Sequence, residues 1–464
     1  MSATPPLPKA LTVCAALCPP LVFLAAYVPA IGLGFISDDF GWIADSRIST
    51  ARDAIHLFTT NHGFYRPLVA LSFGLNHLSW GLNPRLYGAA NLALVLLCGC
   101  LCAAVFRRLG LPAAASWFGA MIWLLNFHGI NMSLLWISGR TALLLIAASL
   151  ASAATALSGS VIATVFFVAL ALLSKEEAVL LPLILLGWLW AVGRHHTVRG
   201  RRQMIWLALG MVIDLGLYAF LRHEAGALTP ATAPSYYRFT FDPSAIARNI
   251  AEYADRACTY FAGVSVVAWL LMRPPTGHSF APRRQIVAAA AIWYAGGYAI
   301  TTFLPVRSSL YACFPSIAAA LVAADACSRL WTLATDHQRV RALTALCLVP
   351  ILCFPVYLTR NNRWTDLARY TTGVLAQLDP YYSRLSQGEW LVMEDGDRDQ
   401  RVNIQSSFGS LIGDAVSLHA GHSVGVWIEP RVQEPDAAPP CSDCVGVRLD
   451  VSRGRVTELT GRPR

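Results

Sequence analysis

Apolar windows of about 20 residues recur along most of this chain, and each marks a membrane-spanning helix. They fall at 11–33, 86–106, 112–130, 136–157, 159–173, 178–193, 203–221, 258–272, 286–304, 309–327 and 342–359. Eleven spans are predicted, several joined by very short links. Polar breaks separate some of them. Within 34–85, Ser49 to Phe58 reads as a short helix, with Thr50 and Asp53 near its start. Residues 67–80 (PLVALSFGLNHLSW) are apolar but too short to span, and read as an interfacial or re-entrant helix. Residues 222–257 hold a second such region, with Tyr236-Tyr237 and a helix from about Ser244. After Arg360 the period changes. Trp364, Leu367, Tyr370, Val374 and Leu378 mark a helix over 361–380. Beyond it, 390–393, 415–420 and 423–429 read as strands and 447–459 as a hairpin. The predicted fold is mainly α. It is a polytopic helical bundle with extracytoplasmic interfacial helices and a small C-terminal soluble domain with β-structure. The division is 1–360 for the membrane core, with a large first loop at 34–85, and 361–464 for the C-terminal helix and soluble domain.

Composition sharpens this. Of 464 residues 55% are hydrophobic and 14% charged, against about 25% charged in soluble domains. Disordered and soluble globular classes are excluded. The net charge of +9 comes without a dense basic run, so nucleic acid is not a partner. The links after the second, sixth, eighth and tenth spans are arginine-rich, whereas 34–85 and 222–257 carry Asp38, Asp39, Asp45, Asp53, Glu224, Asp242, Glu252 and Asp255. The positive-inside rule then places the N-terminus in the cytoplasm and the first loop and the C-terminal domain outside. The first apolar segment is too long for a signal-peptide core and reads as a retained span. Of twelve cysteines, ten lie in or beside apolar stretches; Cys441-x-x-Cys444 in the tail is either a disulfide or two free thiols.

Charge at membrane depth is costly and usually lines a cavity. Six polar sets stand at the outer ends of spans. Ser37-Asp38-Asp39-Phe40 follows the first span and offers a general base, a metal ligand or a solvated helix end. Tyr65-Arg66-Pro67 offers a phosphate clamp or a snorkelling arginine. Arg140, in Trp136-Ile137-Ser138-Gly139-Arg140, has the same two readings. Lys175, one of only two lysines, stands in Ser174-Lys175-Glu176-Glu177, where a neighbouring Glu neutralises it or leaves it for a ligand. Pro305 to Tyr311 holds Arg307, and Asn361-Asn362-Arg363-Trp364 follows the last span. His128 reads as a hydrogen-bonded helix-end residue. All six sets fall on one side, which describes an outward-facing cavity with two acids and at least four cations, suited to a phosphate-bearing lipid.

In this order the motifs resemble those of the GT-C superfamily of integral-membrane glycosyltransferases. These include the protein O-mannosyltransferases and the membrane portion of the TPR-containing O-mannosyltransferases. The residues that carry the resemblance are FISDDF (35–40), YRPL (65–68), Trp136 to Arg140, LSKE (173–176), RSSLYACFPS (307–316) and Asn362-Arg363-Trp364, over roughly residues 10–380. The His-Pro and Glu common between the third and fourth spans of the family are out of register here, and no TPR array follows. The resemblance implies a polyprenyl-phosphate-linked sugar donor and inversion at the anomeric centre. It implies an Asp general base, Asp38 or Asp39 and by preference Asp38. Arg66, Arg140, Lys175 and Arg307 would hold the donor phosphate, and Tyr65, Glu176, Tyr311, Arg363 and Trp364 would line the site. It implies no cofactor and activity without a resident metal, with Asp39 orienting Asp38, positioning the acceptor or holding a divalent cation as the open alternatives. The partners are the lipid-linked donor, membrane lipids and a protein, lipid or glycan acceptor. The location implied is a bacterial inner membrane. A transporter or flippase for a polyprenyl-linked or anionic solute, and an inactive scaffold, are the competing readings.

Overall fold

The computed structural model describes residues 8–60, 64–227, 237–274, 283–386, 389–429 and 445–459. Tyr236 and the Cys441–Cys444 pair lie outside the described residues. Helix α1 is Lys9–Tyr27. The first long loop holds α2 (Asp38–Asp45), α3 (Ala51–His56) and α4 (Pro67–Trp80). Next come α5 (Pro84–Arg108), α6 (Ala113–Leu124), α7 (Ile130–Leu135), α8 (Arg140–Ser158), α9 (Val161–Leu172), α10 (Leu181–Ala191) and α11 (Val198–Glu224). They are followed by α12 (Pro243–Ala254), α13 (Tyr260–Leu271), α14 (Arg284–Tyr298), α15 (Ser316–Leu333), α16 (Asp336–Leu352) and α17 (Phe354–Tyr382). Each of the eleven apolar windows falls on a helix. Among the described residues, six helical stretches are long and apolar enough to cross a membrane: Lys9–Ala30, Pro84–Arg108, Ile137–Ser158, Val198–Glu224, Ser316–Leu333 and Asp336–Tyr382. Leu21, Ile162, Ile213 and Leu352 stand exposed on the perimeter, where lipid takes the place of a protein partner.

Helix α8 is the axis of the bundle and is buried almost throughout. Its RTALLLIAASLASAATALS sequence is rich in Ala and Ser. Small residues let helix backbones approach closely in a membrane, where packing replaces the hydrophobic effect as the driving force. It packs against α5 on one side and α9 on the other.

The short helices of the first loop follow their local chemistry. Thr50 caps α3, accepting from the Asp53 N–H while Asp53 accepts from the Thr50 N–H at 2.7 Å. Pro67 opens α4, where its missing N–H costs nothing.

The C-terminal unit consists of β1 (Trp390–Asp395), α18 (Ile404–Phe408), α19 (Ile412–Ala420), β2 (Gly425–Glu429), β3 (Val445–Ser452) and β4 (Arg455–Glu458). The sheet order is β2-β1-β3-β4, with β1 parallel to β2 and β3 and the β3–β4 hairpin antiparallel. Residues 415–420, expected as a strand, belong to α19. Ile412, Ala415 and Val416 share its buried face at helical spacing, and Gly421 ends it in a left-handed conformation. The six-residue window omitted Ile412, which sets the period.

This unit is not a detached appendage. Helix α17 runs through position 360 without a break. One hydrophobic cluster joins Phe35, Phe40 and Ile43 of the first loop to Val374, Leu391, Phe408 and Val416. The C-terminal unit is thereby seated on the segment that carries the acidic motif.

Candidate active site

Residues 33–37 are strapped to α17. Thr371 Oγ1 donates to the Phe35 carbonyl at 2.7 Å, and Thr372 Oγ1 to that of Leu33 at 3.0 Å. Only glycine fits at 34, since a Cβ there would stand 2.4 Å from the Ala368 carbonyl oxygen. The chain then turns at Ser37, whose φ of +48° places a non-glycine residue in a strained region. From the C-terminal unit, the Ser407 carbonyl accepts from the Ser37 N–H at 2.9 Å, and Phe408 stacks on Phe40 at 5.7 Å. The turn delivers Asp38 and Asp39 into the first turn of α2, where carboxylates are favoured.

The two acids face different surroundings. Asp39 is fully buried. Its Oδ1 accepts from the Ser138 N–H at 2.6 Å and the Ser138 hydroxyl at 2.5 Å, and its Oδ2 from the Ile36 N–H at 2.8 Å. Burial outweighs these donors and pushes its pKa up to about 7. Asp38 is accessible, and the Ser37 hydroxyl donates to its Oδ1 at 3.3 Å. Surrounding protein nonetheless desolvates it and raises its pKa, opposed by Ser37 and Arg66. Asp38 is thus an open carboxylate with raised proton affinity, and Asp39 a fixed post beneath it.

A cationic wall stands beside this turn. Arg66 binds Glu176 in a fork, Nε at 2.9 Å and Nη2 at 2.6 Å, with its guanidinium 4.3 Å over the Phe64 ring. Nη1 has no acceptor among the described residues. Arg66 holds the Glu176 pKa down at about 2, and Glu176 raises that of Arg66. Lys175 is buried and pairs at 2.8 Å with Glu177, not with Glu176, and it lies 4.8 Å from the Tyr311 ring. The structure therefore brings Asp38, Arg66, Lys175, Glu176 and Tyr311 together.

The remaining predicted residues are tied to partners of their own. Arg140 is buried beneath the site. It donates to Asn91 Oδ1 at 2.9 Å and the Tyr87 carbonyl at 3.1 Å and lies against the Phe73 and Tyr87 rings. Arg307 pairs with Glu252 of α12, which also holds Arg256. The Tyr65 hydroxyl is tied to the Phe58 carbonyl at 2.9 Å. Trp364 stacks on Trp136 at 5.9 Å, Arg363 lies over Trp364, and Trp136 Nε1 donates to the Ile36 carbonyl at 3.3 Å. These aromatics brace the acidic turn from its rim. His128 Nδ1 lies 3.2 Å from Arg360 Nη2.

Sequence reasoning passed over Glu252 and Ser138 as partners. A neighbouring Glu on Lys175 was expected, and it is Glu177; the Asp39–Ser138 contact joins residues 99 apart and had no local signal.

No family model matches this sequence, and no curated protein sequence does. Solved structures do. ArnT from Cupriavidus metallidurans bound to undecaprenyl phosphate is 13% identical, with a TM-score of 0.54 over 90% of this chain and 86% of that one. ArnT in the apo state gives 12% identity and a TM-score of 0.50 over the same shares. The likeness is one of fold: over 90% of its length this chain shares the fold of ArnT.

Proposed function

We propose that this chain is a glycosyltransferase that moves a sugar from a polyprenyl-phosphate donor to an acceptor at the outer face of the membrane, with inversion. The observation that carries the reading is the pairing of an open, desolvated Asp38 with Arg66, whose Nη1 has no acceptor among the described residues. The fold of ArnT, seen with undecaprenyl phosphate bound, supports the lipid-phosphate donor.

The chemistry follows from these positions. Asp38 takes the proton from the acceptor nucleophile as it attacks the anomeric carbon. The bond to the donor phosphate breaks, and the charge that develops on the leaving phosphate falls to Arg66, with Lys175 behind it. Glu176 holds the guanidinium plane in place. Tyr311 covers Lys175 and lines the same wall. Arg307, held by Glu252, stands at the outer edge of this arrangement.

The direct test is transfer from a labelled polyprenyl-phosphate sugar by the purified protein. Transport of the donor without transfer would instead make the chain a flippase, and neither activity would make it a scaffold.

Two further outcomes are expected. Arg66→Ala should weaken donor use by one charge-assisted contact, about 1.5–3 kcal/mol, with Arg66→Lys restoring part of it because the fork is lost. Arg307→Ala should act more weakly, since its side chain is a third exposed and already paired. Equal losses at both positions, measured as donor kcat/KM, would move Arg307 into the phosphate site. For orientation, cysteines placed at Ile55 and Asp399 should react with an impermeant reagent from outside and one at Arg201 from inside. Labelling of Asp399→Cys only from the cytoplasm would reverse the proposed topology.

A further inference from the structure

The C-terminal sheet carries a feature that the transfer site does not use. Its chain leaves β1 for β2 on one side, and the next strand, β3, lies on the other side of β1. In open α/β sheets such a reversal leaves a crevice beyond the carboxyl ends of the two strands, and ligands bind there. Here those ends are Asp395 of β1 and Ser452 of β3. An open cleft of about 480 Å³ lies at this place, lined by Tyr370, Asp397, Gln400, Arg401, Arg453 and Gly454.

The groups around the cleft are not evenly disposed. Asp397 is buried, and its carboxylate is already used within the protein. It accepts from the N–H of Arg453, from the N–H of Gly454 at 2.7 Å and from the Tyr370 hydroxyl at 3.2 Å. Those bonds fix the β3–β4 turn on the β1 loop. They also leave the cleft without an acid free to bind a cation. Arg453 sits in that turn with φ +55°, a left-handed conformation that Asn or Gly adopts with less strain. The strain places an arginine where hairpin geometry favours a smaller residue. The Arg453 and Arg401 side chains are both exposed, and neither has a hydrogen-bond or ion-pair partner among the described residues. Tyr370 packs along Gly454, where a Cβ would stand 3.5 Å from its ring, so the ring forms one wall.

Two unpaired guanidinium forks, a glutamine amide and an aromatic wall are the chemistry that recognises a sugar bearing a negative group. We propose that this switch-point cleft binds an anionic saccharide, one carrying a phosphate or a carboxylate, and that it holds the acceptor for transfer. The cleft abuts the acidic turn. Val402 on its rim packs with Ile36, Leu367 and Trp364, and Ile36 stands two residues before Asp38. The binding stands on the cleft itself; its assignment to the acceptor rests on the transferase reading.

The experiment is equilibrium binding of glucose 6-phosphate and glucuronate, with glucose as the neutral control, to the purified full-length protein in lipid nanodiscs. Both anionic sugars should bind and glucose should not, and added salt should weaken binding. Arg401→Gln and Arg453→Asn should each lower affinity about tenfold to a hundredfold, the range for one charge-assisted contact. Asn suits the turn better than Arg, so the melting temperature of Arg453→Asn should hold or rise. A purely structural role for Arg453 would show neither change in affinity. Binding of glucose as tight as that of the anionic sugars, or unchanged affinity in both variants, would overturn the proposal. Binding is read without any turnover. Absence of transfer by the wild type would therefore remove the transferase reading and leave this result standing, and absence of binding would do the reverse.

Discussion

Asp38→Asn should lower sugar transfer by about 10²–10⁴, the usual contribution of a positioned general base, while folding and donor binding persist. The amide keeps the size of the side chain and its contact with the Ser37 hydroxyl but cannot take a proton. Asp38 is the accessible acid of the pair, and its surroundings raise its proton affinity. The acid limb of the kcat/KM profile should therefore lie above the ordinary carboxylate range near pH 4, and it should vanish in the variant. Asp39→Asn should behave differently. Three donors converge on that carboxylate, and an amide turns its NH2 toward at least one of them, at a cost of about 1–3 kcal/mol of stability. Because burial raises the Asp39 pKa to about 7 in the folded chain, its protonation stabilises the fold. That contribution is fully present below about pH 4 and is lost as pH rises through about 7. Melting temperature against pH should flatten across this window in Asp39→Asn and not in Asp38→Asn. Normal turnover in Asp38→Asn with an inactive, stable Asp39→Asn would reverse the two roles.

The bundle was legible because membrane helices announce themselves through long apolar windows, and each of the eleven lies on a helix. The limits of α4 were legible too, since Pro67 starts it and Gly81 follows its last residue, Trp80. The site was legible as a set of motifs but not as an arrangement. Arg66, Arg140, Lys175 and Arg307 look alike in sequence, each a cation at the outer end of a span. Their partners separate them, and those partners are distant along the chain: Glu176 for Arg66, Asn91 for Arg140, Glu252 for Arg307. Nothing local in YRPL or ISGR says which arginine faces a cavity and which is sealed. The seating of the C-terminal unit on the acidic turn was equally silent, because the Ser37–Ser407 hydrogen bond joins backbone atoms and leaves no residue signature.

Arg140 is where this distinction has its largest consequence. Its side chain is 1% exposed and joins three helices. Nε donates to Asn91 and Nη2 to the Tyr87 carbonyl, both on α5. The side-chain oxygen of Asn76 on α4 stands 2.9 Å from Nη2 in the amide orientation that satisfies both groups. Methionine in its place would fill much of the volume and leave those acceptors buried without donors. Each buried acceptor left without its donor costs about 1–3 kcal/mol, and several such losses together are a large share of the roughly 5–15 kcal/mol that holds a domain together. Arg140→Met should therefore lose most of its folded, monodisperse protein on extraction and melt well below the wild type. Arg140→Lys should recover only part of this, since one ammonium cannot reproduce the fork that spans Asn91, Tyr87 and Asn76. Arg140 also lies under the residue pair that fixes Asp39, because Ser138 is two positions before it. The loss of packing should reach the acidic turn, and residual protein should show a lower kcat with donor KM little changed. A variant that melts normally and shows only a raised donor KM would place Arg140 against the phosphate, with its side chain turned out of the core toward the donor.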